Sequence, residues 1–173
     1  MPKHLVLIGL PGAGKSTAGR LLAERLGTHC TDVDPMIERA TGMTVAELFA
    51  EEGEPAFRDR ERRAVLQAIG LPPHVITPGG GWAAEPGNLE AIAGIAVTVW
   101  LAIDPVIAAE RLVGDRSRPL LDGGDRRERL AALADQRTPF YRKASASVDV
   151  NGLSAVQAAD RLLAVARERA GWA

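Results

Sequence analysis

Short apolar runs alternate along this chain with segments of helical periodicity. Five runs, mostly apolar and in part β-branched, predict strands over residues 4–8, 29–33, 74–77, 95–103 and 147–150. Apolar residues at helical spacing predict helices over residues 15–26, 35–40, 44–51, 55–69, 86–93 and 154–169, one beginning at 105 and one ending near 141. Thr44 with Glu47 fits a capping box, and Asp104 fits the N-cap of the helix that Pro105 begins.

Strands that alternate with helices imply a parallel sheet with helices on both faces. The predicted fold is therefore an α/β three-layer sandwich with a five-stranded parallel sheet. The chain has 173 residues, the size of one domain, and no composition shift marks a linker. We expect one domain over residues 1–173.

Composition narrows the class of protein further. Lys and Arg number 21 against 22 Asp and Glu, which argues against a surface that binds nucleic acid or anionic lipid. The single cysteine, Cys30, excludes an intramolecular disulfide and is interpreted as a packing residue. The longest apolar run, residues 91–103, is too short for a membrane span, and the first residues lack the layout of a signal peptide. We expect a cytoplasmic protein that binds neither nucleic acid nor membrane.

The strongest motif is a glycine-rich phosphate loop, a P-loop. Residues 9–16 read G-L-P-G-A-G-K-S, and they lie between a predicted strand and a predicted helix. Glycines let backbone N–H groups surround a phosphate, the helix N-terminus adds positive potential, and Lys15 adds a charge. Ser16 offers a hydroxyl to Mg²⁺. The ATP-binding residues predicted here are Gly12, Ala13, Gly14, Lys15, Ser16 and Thr17, since a plain glycine turn is much the weaker interpretation.

An acidic pair follows the second predicted strand. Residues two apart in an extended segment point the same way, so Asp32 and Asp34 can both face the phosphate loop. One could reach a metal and the other an acceptor hydroxyl. On its own such a pair is more often a helix cap or a solvated turn, and its place beside a P-loop favours function.

Several motifs in order resemble the shikimate kinases, small P-loop enzymes of the nucleoside-monophosphate-kinase type. They are residues 12–20, 32–34, 57–58, 79–81, 118–121 and 137–141, and the resemblance covers nearly the whole chain. It implies transfer of the γ-phosphoryl group of ATP to the 3-hydroxyl of shikimate, with Mg²⁺, in aromatic amino acid biosynthesis. The family is usually monomeric, so we expect a monomer.

The resemblance also implies roles for single residues. Lys15, Asp34 and Arg118 would be catalytic, with Asp34 in a substrate-binding helical segment at 34–62 and Arg118 in a mobile lid at 114–124 that closes over ATP. Arg111 would lie against adenine, and Asp32 would reach the metal through water while Ser16 binds it directly. The shikimate-binding set would be Asp34, Arg58, Gly80, Gly81 and Arg137.

Some neighbouring residues admit two interpretations. Phe49 and Phe57 match an apolar wall beneath the substrate ring but suit an ordinary core equally well. Glu61 lies one helical turn from Arg58 and can orient it. Trp82 stands where the family predicts a smaller residue, so it either packs over the loop or narrows the pocket. Arg116 is interpreted as a solvated neighbour of the lid arginine, and Arg126, Arg127 and Arg129 are assigned no chemistry.

Two alternative functions remain at this stage. The chain could phosphorylate another small acid or sugar such as gluconate, although an arginine pair favours a cyclic carboxylate. It could also be a noncatalytic ATP-binding module. Measuring the release of ADP from ATP with shikimate and with other acceptors would distinguish both alternatives from shikimate phosphorylation.

Overall fold

The computed structural model describes residues 1–115 and 117–173. Arg116, interpreted above as solvated, lies outside the described residues. The strands are β1 (His4–Ile8), β2 (Cys30–Asp32), β3 (Val75–Thr77), β4 (Ala96–Ala102) and β5 (Ala146–Asp149). They form one sheet in the order β2-β3-β1-β4-β5, with every pairing parallel. The predicted five-stranded α/β fold is confirmed.

Helices connect the strands and cover the sheet. They are α1 (Lys15–Leu26), α2 (Val33–Thr41), α3 (Val45–Glu52), α4 (Glu54–Ile69), α5 (Asn88–Ala91), α6 (Pro105–Arg111), α7 (Arg126–Tyr141) and α8 (Ala155–Ala170). Every residue of β1 is buried. Since successive side chains of a strand point to opposite faces, both faces of the central strand are covered. Within the described residues no helix is both long and apolar enough to cross a bilayer.

Local signals set most helix starts. The capping box predicted at Thr44 is confirmed, with the Glu47 amide donating to the Thr44 hydroxyl at 3.1 Å and the Thr44 amide to the Glu47 carboxylate at 2.7 Å. Asp104 caps α6 as predicted, accepting from the Val106 amide at 2.8 Å. These caps satisfy amides that the first helical turn leaves without partners.

Two predicted boundaries were wrong. Helix α2 begins at Val33, because Asp32 is its extended N-cap, so Asp34 lies in the first helical turn instead of an extended strand. The helix expected over residues 86–93 shrinks to the four residues of α5, because Gly87, at φ 84°, is left-handed directly before it and Ile92, at φ −109° and ψ 2°, leaves the helical range directly after it. A 3-10 turn, Trp82–Ala84, precedes α5. Residues 79–81, called the glycine loop below, therefore run directly into a tight turn.

Candidate active site

The P-loop connects β1 to α1 at the carboxyl edge of the sheet, where ligands bind in parallel α/β folds. Gly12 and Gly14 are left-handed, at φ 85° and 84°. A Cβ on Gly12 would lie 2.6 Å from the Ala108 carbonyl oxygen, so only glycine fits there. No side chain caps α1, and its first residues line an open cleft, so its first N–H groups are left for an anion.

Lys15 is folded back onto its own loop. Its ammonium donates to the Gly9 carbonyl at 2.7 Å and to the Leu10 carbonyl at 3.0 Å. Burial, the larger cause, and the positive charge of Arg118 together lower the pKa of Lys15 to about 7, against the opposing charge of Asp34. Burial in the empty site therefore destabilises the positive charge that Lys15 would supply to a phosphate.

A broad cleft opens in front of this loop. It is lined by all but one of the residues predicted to bind ATP and metal, namely Gly12, Gly14, Lys15, Ser16, Thr17, Asp32, Arg111 and Arg118, and also by Asp34. Ala13 is buried beneath the loop and is absent from the lining. Its amide donates to the Leu10 carbonyl at 3.1 Å. Except for Ala13, the structure therefore brings the predicted ATP and metal residues together in one cleft.

Arg111 closes one end of the cleft. Its guanidinium donates to the carbonyls of Leu153 at 3.2 Å, Val150 at 3.4 Å and Gly12 at 3.5 Å. It therefore joins the P-loop to the segment after β5. Its contact with adenine stays a prediction.

Asp32 and Asp34 reach the same cleft by a route other than the one predicted. The strand ends at Asp32, so the two carboxylates converge from a strand end and a helical turn. Asp34 lines both the cleft and the adjoining pocket, and its Oδ1 is buried with no hydrogen-bond partner among the described residues. Burial raises the pKa of Asp34, while the charge of Arg118 opposes that rise. The carboxylate is poised to accept from a ligand.

Ser16 and Asp32 provide the hydroxyl and carboxylate oxygens that suit Mg²⁺. Thr77 donates to Asp32 Oδ1 at 3.1 Å, which fixes that carboxylate at the cleft. Residues 1–115 and 117–173 contain no cluster of three or more His, Cys, Asp or Glu side chains able to hold a metal. Mg²⁺ commonly takes one or two protein ligands and completes its shell with water and phosphate. The residues present fit an ion bound together with the nucleotide.

A second pocket adjoins the cleft. Its polar lining includes Asp34, Arg58, Arg118 and Arg137, and its floor the glycine loop of residues 79–81. Arg58 comes from α4 and Arg137 from α7, so two helices distant in sequence bring cations to one pocket. Apolar side chains complete the wall, including those of Phe49, Phe57, Pro119, Leu120, Leu121 and Leu133.

The Arg58 guanidinium is held from several sides. It pairs with Glu61 at 2.8 Å and with Glu54 at 3.2 Å. It also lies 5.5 Å from the ring centre of Phe57 and 5.9 Å from that of Phe49. The ion pair with Glu61 supports the expected role of Glu61 in orienting Arg58. Phe49 and Phe57 both line the pocket and pack in the hydrophobic core.

The glycine loop packs too closely for side chains. A Cβ on Gly80 would lie 2.9 Å from both Arg137 Nη1 and Pro11 Cδ, and one on Gly81 would collide with the Arg58 guanidinium. Glu61 accepts from the Gly79 amide at 2.9 Å. The loop is therefore held against both arginines.

Two residues near this loop differ from expectation. Trp82 is 1% exposed and lines neither cavity, because the turn that carries it packs against α4 and α7 beneath the loop. Tyr141, a residue of the 137–141 motif with no predicted role of its own, donates to the Gly80 carbonyl at 2.6 Å. Its position four residues after Arg137, on the same helix face, was the available signal.

The predicted lid is bounded by left-handed glycines, Gly114 at φ 83° and Gly124 at φ 76°. Arg118 lines both cavities and lies 3.5 Å from the Asp115 carboxylate. Arg126, which had been assigned no chemistry, donates to the carbonyls of Leu112 and Asp115. It therefore holds the first residues of this segment.

A P-loop on a parallel sheet, beside a pocket that holds a buried carboxylate and three arginines, is typical of a small P-loop kinase. A protein-family model described as Shikimate kinase matches residues 11–167. A shikimate kinase of Mycobacterium avium is 45% identical over 87% of this chain and 86% of the relative. One from Caulobacter vibrioides is 40% identical over 96% of this chain and 83% of the relative. The chain belongs to the shikimate kinase family.

Solved structures agree. Shikimate kinase from Acinetobacter baumannii in complex with shikimate has a TM-score of 0.92 and 32% identity, covering 98% of this chain and 96% of that one. A gluconokinase from Sinorhizobium meliloti has a TM-score of 0.64 at 17% identity, covering 98% and 94% of the two chains. The second likeness extends to the fold alone, so it does not favour the gluconate alternative.

Proposed function

We propose that this protein transfers the γ-phosphoryl group of ATP to the 3-hydroxyl of shikimate, giving shikimate 3-phosphate and ADP. The observation that carries the proposal is the pocket in which Arg58, Arg137 and Asp34 meet beside the P-loop. The similarity to a relative solved with shikimate supports the same substrate. The reaction belongs to aromatic amino acid biosynthesis.

The acceptor pocket suits a hydroxylated ring with one carboxylate. Guanidinium groups bind carboxylates through paired N–H donors, and Arg58 and Arg137 supply two such groups. The free Oδ1 of Asp34 accepts from the attacking hydroxyl and takes its proton as the new bond to phosphorus forms. The raised pKa of Asp34 makes it a better base than an exposed carboxylate.

The phosphates of ATP occupy the cleft. Phosphoryl transfer passes through a loose transition state, so positioning and charge matter more than a strong base. Lys15 and Arg118 neutralise charge on the transferring group, and the N–H groups at the start of α1 bind the phosphates. Ser16 and Asp32 would hold Mg²⁺, which would supply positive charge to offset that of the phosphates during transfer. Arg111 would stack on adenine.

A coupled assay of ADP release tests this proposal. With MgATP, we expect turnover with shikimate and little or none with quinate, gluconate or nucleoside monophosphates. Faster turnover with gluconate would replace the proposed substrate, and ATP binding without turnover on any acceptor would support a noncatalytic module.

We also propose that the protein acts as a cytoplasmic monomer. Both pockets are built entirely from this one chain, so the site needs no second copy. Light scattering at assay concentration should give the mass of one chain of 18.3 kDa, and a dimer mass would contradict the proposal.

A further inference from the structure

In the glycine loop the carbonyls are bonded within the protein, whereas two of the amides are not. All three of its carbonyls accept hydrogen bonds: Gly79 from the Trp82 amide at 3.2 Å, Gly81 from the Ala84 amide at 3.2 Å and Gly80 from the Tyr141 hydroxyl at 2.6 Å. The Gly79 amide donates to Glu61. Within the described residues the amides of Gly80 and Gly81 have no acceptor. The groups left for a ligand are therefore N–H donors.

These three carbonyls are not held in the same way. Those of Gly79 and Gly81 are fixed by the local 3-10 turn, through amides three residues on. That of Gly80 depends on a side chain 61 residues away in sequence. Since neither Gly80 nor Gly81 carries a Cβ, no side chain restricts the backbone angles on either side of the peptide between them. Within the described residues the Tyr141 hydroxyl is the one hydrogen-bond partner of this peptide.

The direction of this peptide matters for binding. In a planar trans peptide the carbonyl and the following N–H point in opposite directions. A Gly80 carbonyl held toward Tyr141 of α7 therefore turns the Gly81 N–H away from α7, and Gly81 itself lines the acceptor pocket. If the peptide rotated, a carbonyl oxygen would face the anionic groups of the ligands and repel them.

We propose that Tyr141 is a positioning residue, whose hydroxyl fixes the Gly80–Gly81 peptide so that its N–H, and not its carbonyl, faces the acceptor pocket. This inference rests on the proposed function, because it takes the pocket to bind a carboxylate. Tyr141 lines neither the cleft nor the acceptor pocket, so it acts without touching substrate.

The surroundings of Tyr141 suit this role. The residue is fully buried, and its ring lies 5.9 Å from that of Trp100. Burial raises the pKa of Tyr141 to about 12, so the hydroxyl keeps its proton across the working range of pH. Arg137, four residues earlier, lies against Gly80, so one helix face fixes both an arginine and a peptide.

Tyr141→Phe is the direct test, because it removes one oxygen and keeps the packed ring. We expect the KM for shikimate to rise about tenfold, the change for one hydrogen bond to a charged group, while the KM for ATP stays within about twofold. The matched control is Thr98→Val, since Thr98 is a buried residue of β4 whose hydroxyl bonds to Ser145 away from both pockets. This control should change neither KM.

Three outcomes decide the matter. If wild type does not phosphorylate shikimate, the proposed function fails. If wild type is active and Tyr141→Phe leaves the KM for shikimate within about twofold, the positioning role fails and the function stands. If Tyr141→Phe does not fold, an NMR titration of glycine-labelled wild type with shikimate provides the test. Shikimate must shift the Gly81 amide resonance, and an unmoved resonance overturns the inference.

Discussion

Binding of ATP should require uptake of a proton above neutral pH, because Lys15 is poised to lose its charge in the empty site. The ammonium is buried, with two backbone carbonyls as its acceptors and Arg118 as a like-charged neighbour. These surroundings hold its pKa at about 7. Phosphates placed against Lys15 restore the value of an ordinary lysine, so the bound state keeps the proton that the empty state loses.

The magnitude follows from the size of this shift. With a pKa of about 7, about nine in ten Lys15 side chains are neutral at pH 8 in the empty protein. Binding at pH 8 should therefore take up about 0.9 proton, and the apparent Kd should rise about tenfold for each pH unit above 8. The phosphates of ATP are fully ionised well below this range and add no comparable change.

Calorimetry of MgATP binding at pH 8, in buffers of different ionisation enthalpy, measures the proton count directly. Lys15→Arg is the matched control, because a guanidinium stays charged and should flatten the pH profile even where binding is weaker. A proton uptake near zero in wild type, or an equally steep profile in Lys15→Arg, would refute the reasoning.

Three further predictions concern the acceptor side and the opposite sheet edge. Asp34→Asn should lower kcat at least about a hundredfold in the coupled assay while calorimetry still shows ATP binding; equal turnover would remove Asp34 from catalysis. Glu61→Gln should raise the KM for shikimate about tenfold, because Arg58 loses its 2.8 Å ion pair, and an unchanged KM would contradict this. His4 and His74 are buried with lowered pKa values, so the unfolded chain binds more protons below about pH 6.5. The thermal midpoint should fall from pH 7 to pH 5.5, and a constant midpoint would count against this.

What the sequence could predict depended on how local each signal was. The P-loop and the cap at Thr44 are encoded within a few residues, and both were predicted correctly. The start of α2 was placed too late because Val33 is β-branched and favoured a strand, whereas Asp32 already serves as the extended N-cap. A weak local preference gave way to the helix that follows.

The meeting of Arg58 with Arg137 is not encoded locally. These residues lie on different helices and were joined in advance only by resemblance to a family. Tyr141 shows the limit more sharply, since its acceptor lies 61 residues away and is a backbone carbonyl, which has no signature in side-chain patterns. Trp82 departed from the family pattern, but only packing could show that the change points into the core.

The two cavities share Asp34, Gly79 and Arg118, so charge in one alters the chemistry of the other. In the empty site Arg118 lowers the pKa of Lys15 and also that of Asp34. We expect the phosphates of ATP, bound between Lys15 and Arg118, to offset the positive charge of both groups, including that of the proton that Lys15 takes up. Since both of these charges lower the pKa of Asp34, its carboxylate should become more basic when the nucleotide is in place. A more basic Asp34 would favour deprotonation of the hydroxyl only when a phosphoryl group is there to receive it.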